Sequence, residues 1–146
     1  VKKDLGRFIK VQETDYAIAL AEIRSGKKSS HWMWYIFPQL CGLGHSDISL
    51  FYAIADLKEA TEYLDHPVLG FRLREIASEL LRLEQTNASL IFGFPDDVKL
   101  RSSMTLFAIT DGSADNIFKK VIDRYFKGQF DQKTLDLLQH QEKNEQ

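Results

Sequence analysis

A chain of 146 residues with 44% hydrophobic and 27% charged side chains has ordinary globular composition, enough to bury one core and far from the sparse, highly charged make-up of disorder. Its formal charge of -2 lacks the basic surplus of a general nucleic-acid binder, no apolar run approaches the roughly 20 residues of a membrane span, and residues 1–4 carry no apolar leader. Cys41, the one cysteine, can close no intramolecular disulfide and build no cysteine zinc cluster, which points to the reducing cytoplasm.

Apolar residues at helical spacing, Leu5, Phe8, Ile9, Tyr16, Ala19, Leu20 and Ile23, predict a long helix over 4–25, bent near Thr14 and stopped by Gly26. Residues 27–44 break that pattern, and a short helix beginning near Ser30 followed by a compact loop is expected. Ser46 caps a helix through Phe51 and Ile54, and Asp56 caps another carrying Leu57, Ala60, Tyr63 and Leu64. The Asp65-His66-Pro67 step ends it, because proline disfavours a helical predecessor. Pro67 then opens the clearest helix, with Leu69, Leu73, Ile76, Leu80 and Leu83 along one stripe.

A short apolar turn over 90–94 follows Asn87, and Pro95-Asp96-Asp97 starts a helix carrying Val98, Met104, Phe107 and Ala108 that stops at Asp111-Gly112. Asp115 starts the next, through Ile117, Val121, Ile122, Tyr125 and Phe126, and Gly128 closes it. Asp131 starts a last short helix through Leu135 and Leu138. The polar tail over 139–146 is expected to fray. With strand-like alternation weak throughout, the expected fold is all-α: a single domain over 1–146, a bundle-like arrangement of about six to eight helices.

The densest chemistry lies in residues 27–39, which hold both tryptophans, a histidine and two lysines. If a helix starts near Ser30, its free N–H groups, the hydroxyls of Ser29 and Ser30 and the ammonium of Lys28 converge where an anion is favoured. The faces of Trp32, Trp34 and Tyr35 would then hold a flat ring, with Gln39 reading its polar edge, a combination that suits a nucleotide-like ligand. His31 is the candidate proton carrier. The same aromatics would equally well fill the core of a small helical domain.

A second cluster starts at Asp96. Lys99, Ser102 and Ser103 share one side of that helix, and Asp97, Arg101 and Thr105 share another, so that Lys99 or Arg101 would close the pocket; alternatively Arg101 simply pairs with Asp97. No phosphate-binding loop, dinucleotide fingerprint, nucleophile elbow or zinc-protease motif is present, and His31, His45, His66 and His140 are too scattered to indicate a metal site.

The string from Ser30 through Trp32, Trp34, Phe37, Pro38 and Gln39, with Gly42-Leu43-Gly44, resembles the signature of the bacterial and fungal domain-of-unknown-function family 1810. Tyr52-Ala53-Ile54, His66-Pro67-Val68-Leu69-Gly70 with Arg72-Leu73, Ile91-Phe92-Gly93 and Ser103-Met104-Thr105-Leu106-Phe107 extend the resemblance over residues 4–126. It implies a mainly helical fold and no assigned activity. Some members carry the label calpastatin, a disordered inhibitor built of short repeats; the composition and the cap-to-cap helices here contradict that mechanism.

The sequence therefore leads to a small anionic or nucleotide-like ligand bound at residues 27–39, with no cofactor or metal indicated. The rival is a protein-interaction module that uses the same aromatics as a hot spot.

Overall fold

The computed structural model describes residues 3–144, and within them nine α-helices and no strand pack around one core. Their order is α1 (Gly6–Arg24), α2 (Met33–Ile36), α3 (Asp47–Tyr52), α4 (Leu57–Asp65), α5 (Leu69–Arg82), α6 (Ala88–Phe92), α7 (Asp96–Asp111), α8 (Ile117–Phe126) and α9 (Gln132–Asn144). The all-α expectation holds, with one or more short helices beyond the expected number. One of these is α6: Asn87 accepts the N–H of Ser89 through its side chain and so turns the expected apolar turn into a capped helix.

The local capping chemistry explains most boundaries. Ser46 accepts from the N–H of Ser49 and Asp56 from that of Glu59, as their positions predict. The start of α8 is capped by Asn116 rather than Asp115, and its amide also reaches the carbonyl of Ala108 at the end of α7. Helix α3 stops at Tyr52, which leaves Ile54 to pair with Leu40 in an isolated parallel bridge. Helix α1 is uninterrupted through Thr14, and α9 continues to Asn144, so the described part of the polar tail is helical.

Helix α7 is central, packing against α4, α6, α8 and α9, while α5 packs against α1, α4 and α8. Burial on nearly all sides explains why α7 carries buried Ser102, Ser103 and Thr105 among Leu100, Met104, Leu106 and Phe107. The hydroxyls of Ser102 and Thr105 donate to carbonyls one turn back, satisfying themselves within the helix. Val98, expected inside, is 48% exposed on the first turn.

The stripe of α5 faces inward as its spacing predicts: Leu69, Leu73, Ile76 and Leu80 are each at most 1% exposed. Gly70 lets α5 cross α4 closely, since a Cβ there would lie 2.0 Å from the carbonyl oxygen of Leu64. Buried Arg7 ties α1 to the α3–α4 connection, donating to the carbonyls of Phe51 and Ala53 and pairing with Glu59 at 2.9 Å. Leu73→Ala or Leu80→Ala is expected to cost about 2–5 kcal/mol in denaturant unfolding, through lost burial and the cavity left behind. A loss below about 0.5 kcal/mol at both would contradict a packed α5 stripe.

Candidate functional site

Residues 27–32 do carry convergent donors, and the chain itself supplies the anion that they hold. From the last turn of α1, the Glu22 carboxylate accepts the backbone N–H groups of Ser29 (2.8 Å) and Ser30 (2.9 Å), the Ser30 hydroxyl (2.5 Å) and the indole N–H of Trp32 (2.9 Å). Burial opposes ionisation of Glu22, but the donors from Ser30, Ser29 and Trp32 override it and hold the carboxyl at about 2. Lys28 is likewise committed. Its ammonium meets Asp96 at 2.8 Å and the Ser30 carbonyl at 2.5 Å, lies 4.9 Å from the Trp32 ring centroid, and its side chain is only 7% exposed.

The helix expected near Ser30 begins only at Met33, with Trp32 at its N-cap position and no side-chain cap. Trp32, 1% exposed, packs against Phe37 and Phe92 and belongs to the core. Tyr35 is also buried; its hydroxyl donates to Asp15 and lies 3.1 Å from the His31 carbonyl, and burial together with the Asp15 hydrogen bond and charge pushes its pKa up. Tyr35 is therefore a neutral structural phenol at physiological pH. The side chain of His31 stands exposed, away from the cavity described below.

Trp34 is the one residue of α2 left half-buried, and with Gln39 it opens onto a groove. A cavity of about 280 Å³ and an adjoining recess of about 20 Å³ share Gln39, Gly44 and Ser49 in their linings. Trp34 and Tyr52 wall the recess. Phe94, Val98, Lys99 and Ser102 line the wider part from one side and Lys133 from α9. Gly44 lets the loop after α2 lie against α3, because a Cβ there would meet Ser49 at 2.8 Å. Burial and the charge of Asp15 raise the pKa of Tyr52, so it too keeps its proton.

The cations divide clearly. Lys99 lies 5.1 Å from the Trp34 ring centroid and only 3.7 Å from Asp96, whose other oxygen is held by Lys28. Arg101 does not pair with Asp97 or reach the groove: it donates to the carbonyls of Gln129 and Phe130 and anchors the loop leading to α9. Thus Trp34, Gln39 and Lys99 come together as the sequence suggested, whereas Lys28, Ser29, Ser30, Trp32, Tyr35 and Arg101 are used in holding the fold. Sequence reasoning missed Phe94, Lys133, Ser49 and Tyr52, which reach the groove only through tertiary packing.

A larger cleft of about 1040 Å³ lies between the start of α1 and α4, but its buried charge, Arg7, is already paired with Glu59. Among the described residues no three His, Cys, Asp or Glu side chains gather as metal ligands, and no helix is long and apolar enough to cross a membrane.

The family described as "Protein of unknown function (DUF1810)" matches residues 2–138. The chain belongs to this family. Similarity extends to the crystal structure of the conserved hypothetical protein Rv1873 from Mycobacterium tuberculosis, 43% identical, with a TM-score of 0.89 over 92% of this chain and 96% of that one. No curated protein matches. In this DUF1810 chain the signature string splits in two: Trp32, Met33, Tyr35, Ile36 and Phe37 are core, while Trp34, Gln39, Leu43 and Gly44 line the groove.

Because folding lowers the Glu22 carboxyl from 4.5 to about 2, its contribution is fully present above about pH 4.5 and is lost as pH falls toward 2. Glu22→Gln is expected to destabilise the protein by about 1.5–3 kcal/mol at neutral pH, the usual worth of hydrogen bonds to a charged group. In denaturant titrations, the gap between parent and variant should close between pH 4.5 and 2. A gap independent of pH there would refute the carboxylate's role.

Proposed function

We propose that this protein binds a small anionic ligand in the groove between Trp34 and Gln39 on one side and Lys99 and Lys133 on the other. The observation that carries the reading is the loose commitment of Lys99, a partly exposed ammonium that shares one carboxylate with a far better placed lysine. Lys133 adds a second cation to the lining and has no ion-pair partner among the described residues. Apolar walls around two ammonium groups strengthen their attraction for an anion relative to open water.

Binding without turnover fits the lining better than catalysis does. It contains no histidine or cysteine. Ser49 exchanges a hydrogen bond with Ser46, Ser102 donates to the Val98 carbonyl, and Asp131 accepts from Thr134, so no nucleophile stands beside a free base. A second reading, a docking patch for another protein, is favoured by the exposure of Leu90 (61%), Phe94 (82%) and Val98 (48%) at four-residue intervals.

Thermal-shift and calorimetric titrations with inorganic phosphate and nucleoside monophosphates test the anion reading. At least one should raise the melting temperature progressively with concentration, less so at high salt. The Lys99→Met/Lys133→Met double variant should keep its unliganded stability within about 1 kcal/mol and lose the shift. An inert panel, or a double variant that responds like the parent, overturns the proposal.

A further inference from the structure

We infer that the groove selects anions that carry a planar ring, of nucleoside monophosphate type, and that Phe94 and Trp34 are its ring-binding residues; this rests on the anion site proposed above. Three observations converge on it. First, Trp34 is half-buried where its aromatic neighbours Trp32 and Phe37 are sealed, and the Lys99 ammonium lies 5.1 Å from its ring centroid. Second, Phe94 lines the wider cavity that adjoins the Trp34 recess, is 82% exposed, and pairs with no other ring among the described residues. A lone exposed phenylalanine is ordinary; one placed on the lining of a cavity that also carries two cations is a contact surface awaiting a partner. Third, Gln39 joins the recess to the wider cavity, and no hydrogen bond engages its side-chain amide among the described residues, so it is available to the edge of a hydrogen-bonding ring.

Lys99 links ring and charge. A cation over a partly exposed indole is held weakly compared with a direct ion pair, so an incoming anion draws the ammonium off Trp34 and frees that face for the ring. A ringless anion takes the ammonium and leaves the uncovered indole against water. The preference for a ring thus comes from the aromatic surface that the anion itself exposes. About 280 Å³ of cavity accommodates one base and its sugar phosphate only in part, with the remainder reaching solvent past Phe94; a dinucleotide exceeds it.

The test compares ribose 5-phosphate with the 5′-monophosphates of adenosine, guanosine, cytidine and uridine on the intact protein by calorimetry, with inorganic phosphate as the minimal anion. At least one nucleotide should bind roughly ten-fold or more tightly than ribose 5-phosphate, as base stacking on aromatic side chains supplies. Phe94→Ala, at a position too exposed to unsettle the fold, should bring that nucleotide to within about two-fold of ribose 5-phosphate and leave ribose 5-phosphate binding unchanged; Phe94→Tyr should restore the preference. The indole fluorescence of Trp34 should respond to the nucleotide, and Trp34→Phe should remove the response. Nucleotides and ribose 5-phosphate binding equally would overturn ring selection while leaving the anion site intact. A nucleotide preference that survives Phe94→Ala would remove Phe94 from the site. Failure of every anion to bind would overturn both this inference and the proposal beneath it.

Discussion

The arrangement of the groove depends on one carboxylate. Glu22 gathers two backbone N–H groups, a hydroxyl and an indole N–H from residues 29–32, and thereby folds that segment back on the end of α1. Partial desolvation works against the carboxylate's charge, and four donors offset that cost. Fixing the Trp32 indole seats its ring against Phe37 and Phe92, which in turn sets the direction of the four-residue α2. With Met33, Tyr35 and Ile36 then turned inward, Trp34 is the residue of α2 that faces the groove.

How far the sequence reveals all this depends on the range of the interaction involved. Helix caps and stops are settled by partners two or three residues away, so Ser46, Asp56 and Gly112 marked their boundaries correctly. The α5 stripe was legible for the same reason, since its periodicity is internal. Boundaries were less legible where the cap lay one residue beyond the expected start, as Asn116 does after Asp115, or where α2 began without a side-chain cap at all. The short α6 was missed because five residues are too few for periodicity to separate a helix from an apolar turn.

The site was legible only in part. A cluster of serines, lysines and aromatics signals a convergence of donors and rings, but it does not say which donors the fold will consume. Glu22 lies seven to ten residues before its partners, and Asp96 reaches Lys28 only because the Lys28 N–H bonds to the Ile91 carbonyl and brings that loop beside α6 and α7. Arg101 was diverted in the same way by two carbonyls from the loop before α9. Phe94 and Lys133 carried no local pattern to betray them, since what makes them site residues is a cavity assembled from four separate segments. Family membership and the related crystal structure fix the fold, and the functional argument falls to the geometry.

That geometry bears on the apparent conflict between a chain of net charge -2 and the anion site proposed for it. Net charge describes the long-range field, whereas binding depends on the local balance within about a Debye length, roughly 8–10 Å at physiological salt. At the α7 end of the groove, Asp96 is shared by Lys28 and Lys99, and the Asp131 carboxylate is engaged by the first turn of α9, while Lys133 has no ion-pair partner among the described residues. On the cavity lining itself, two ammonium groups, Lys99 and Lys133, stand beside one carboxylate, Asp131. The better pair, Lys28 with Asp96 at 2.8 Å, is the buried one, and the more loosely held cations, Lys99 and Lys133, are the two lysines on the cavity lining. Burying Lys28 thus does more than stabilise the turn after α1: by holding Asp96 at 2.8 Å, it leaves Lys99 with the longer, 3.7 Å share of that carboxylate, which is the asymmetry that the proposed anion site draws on.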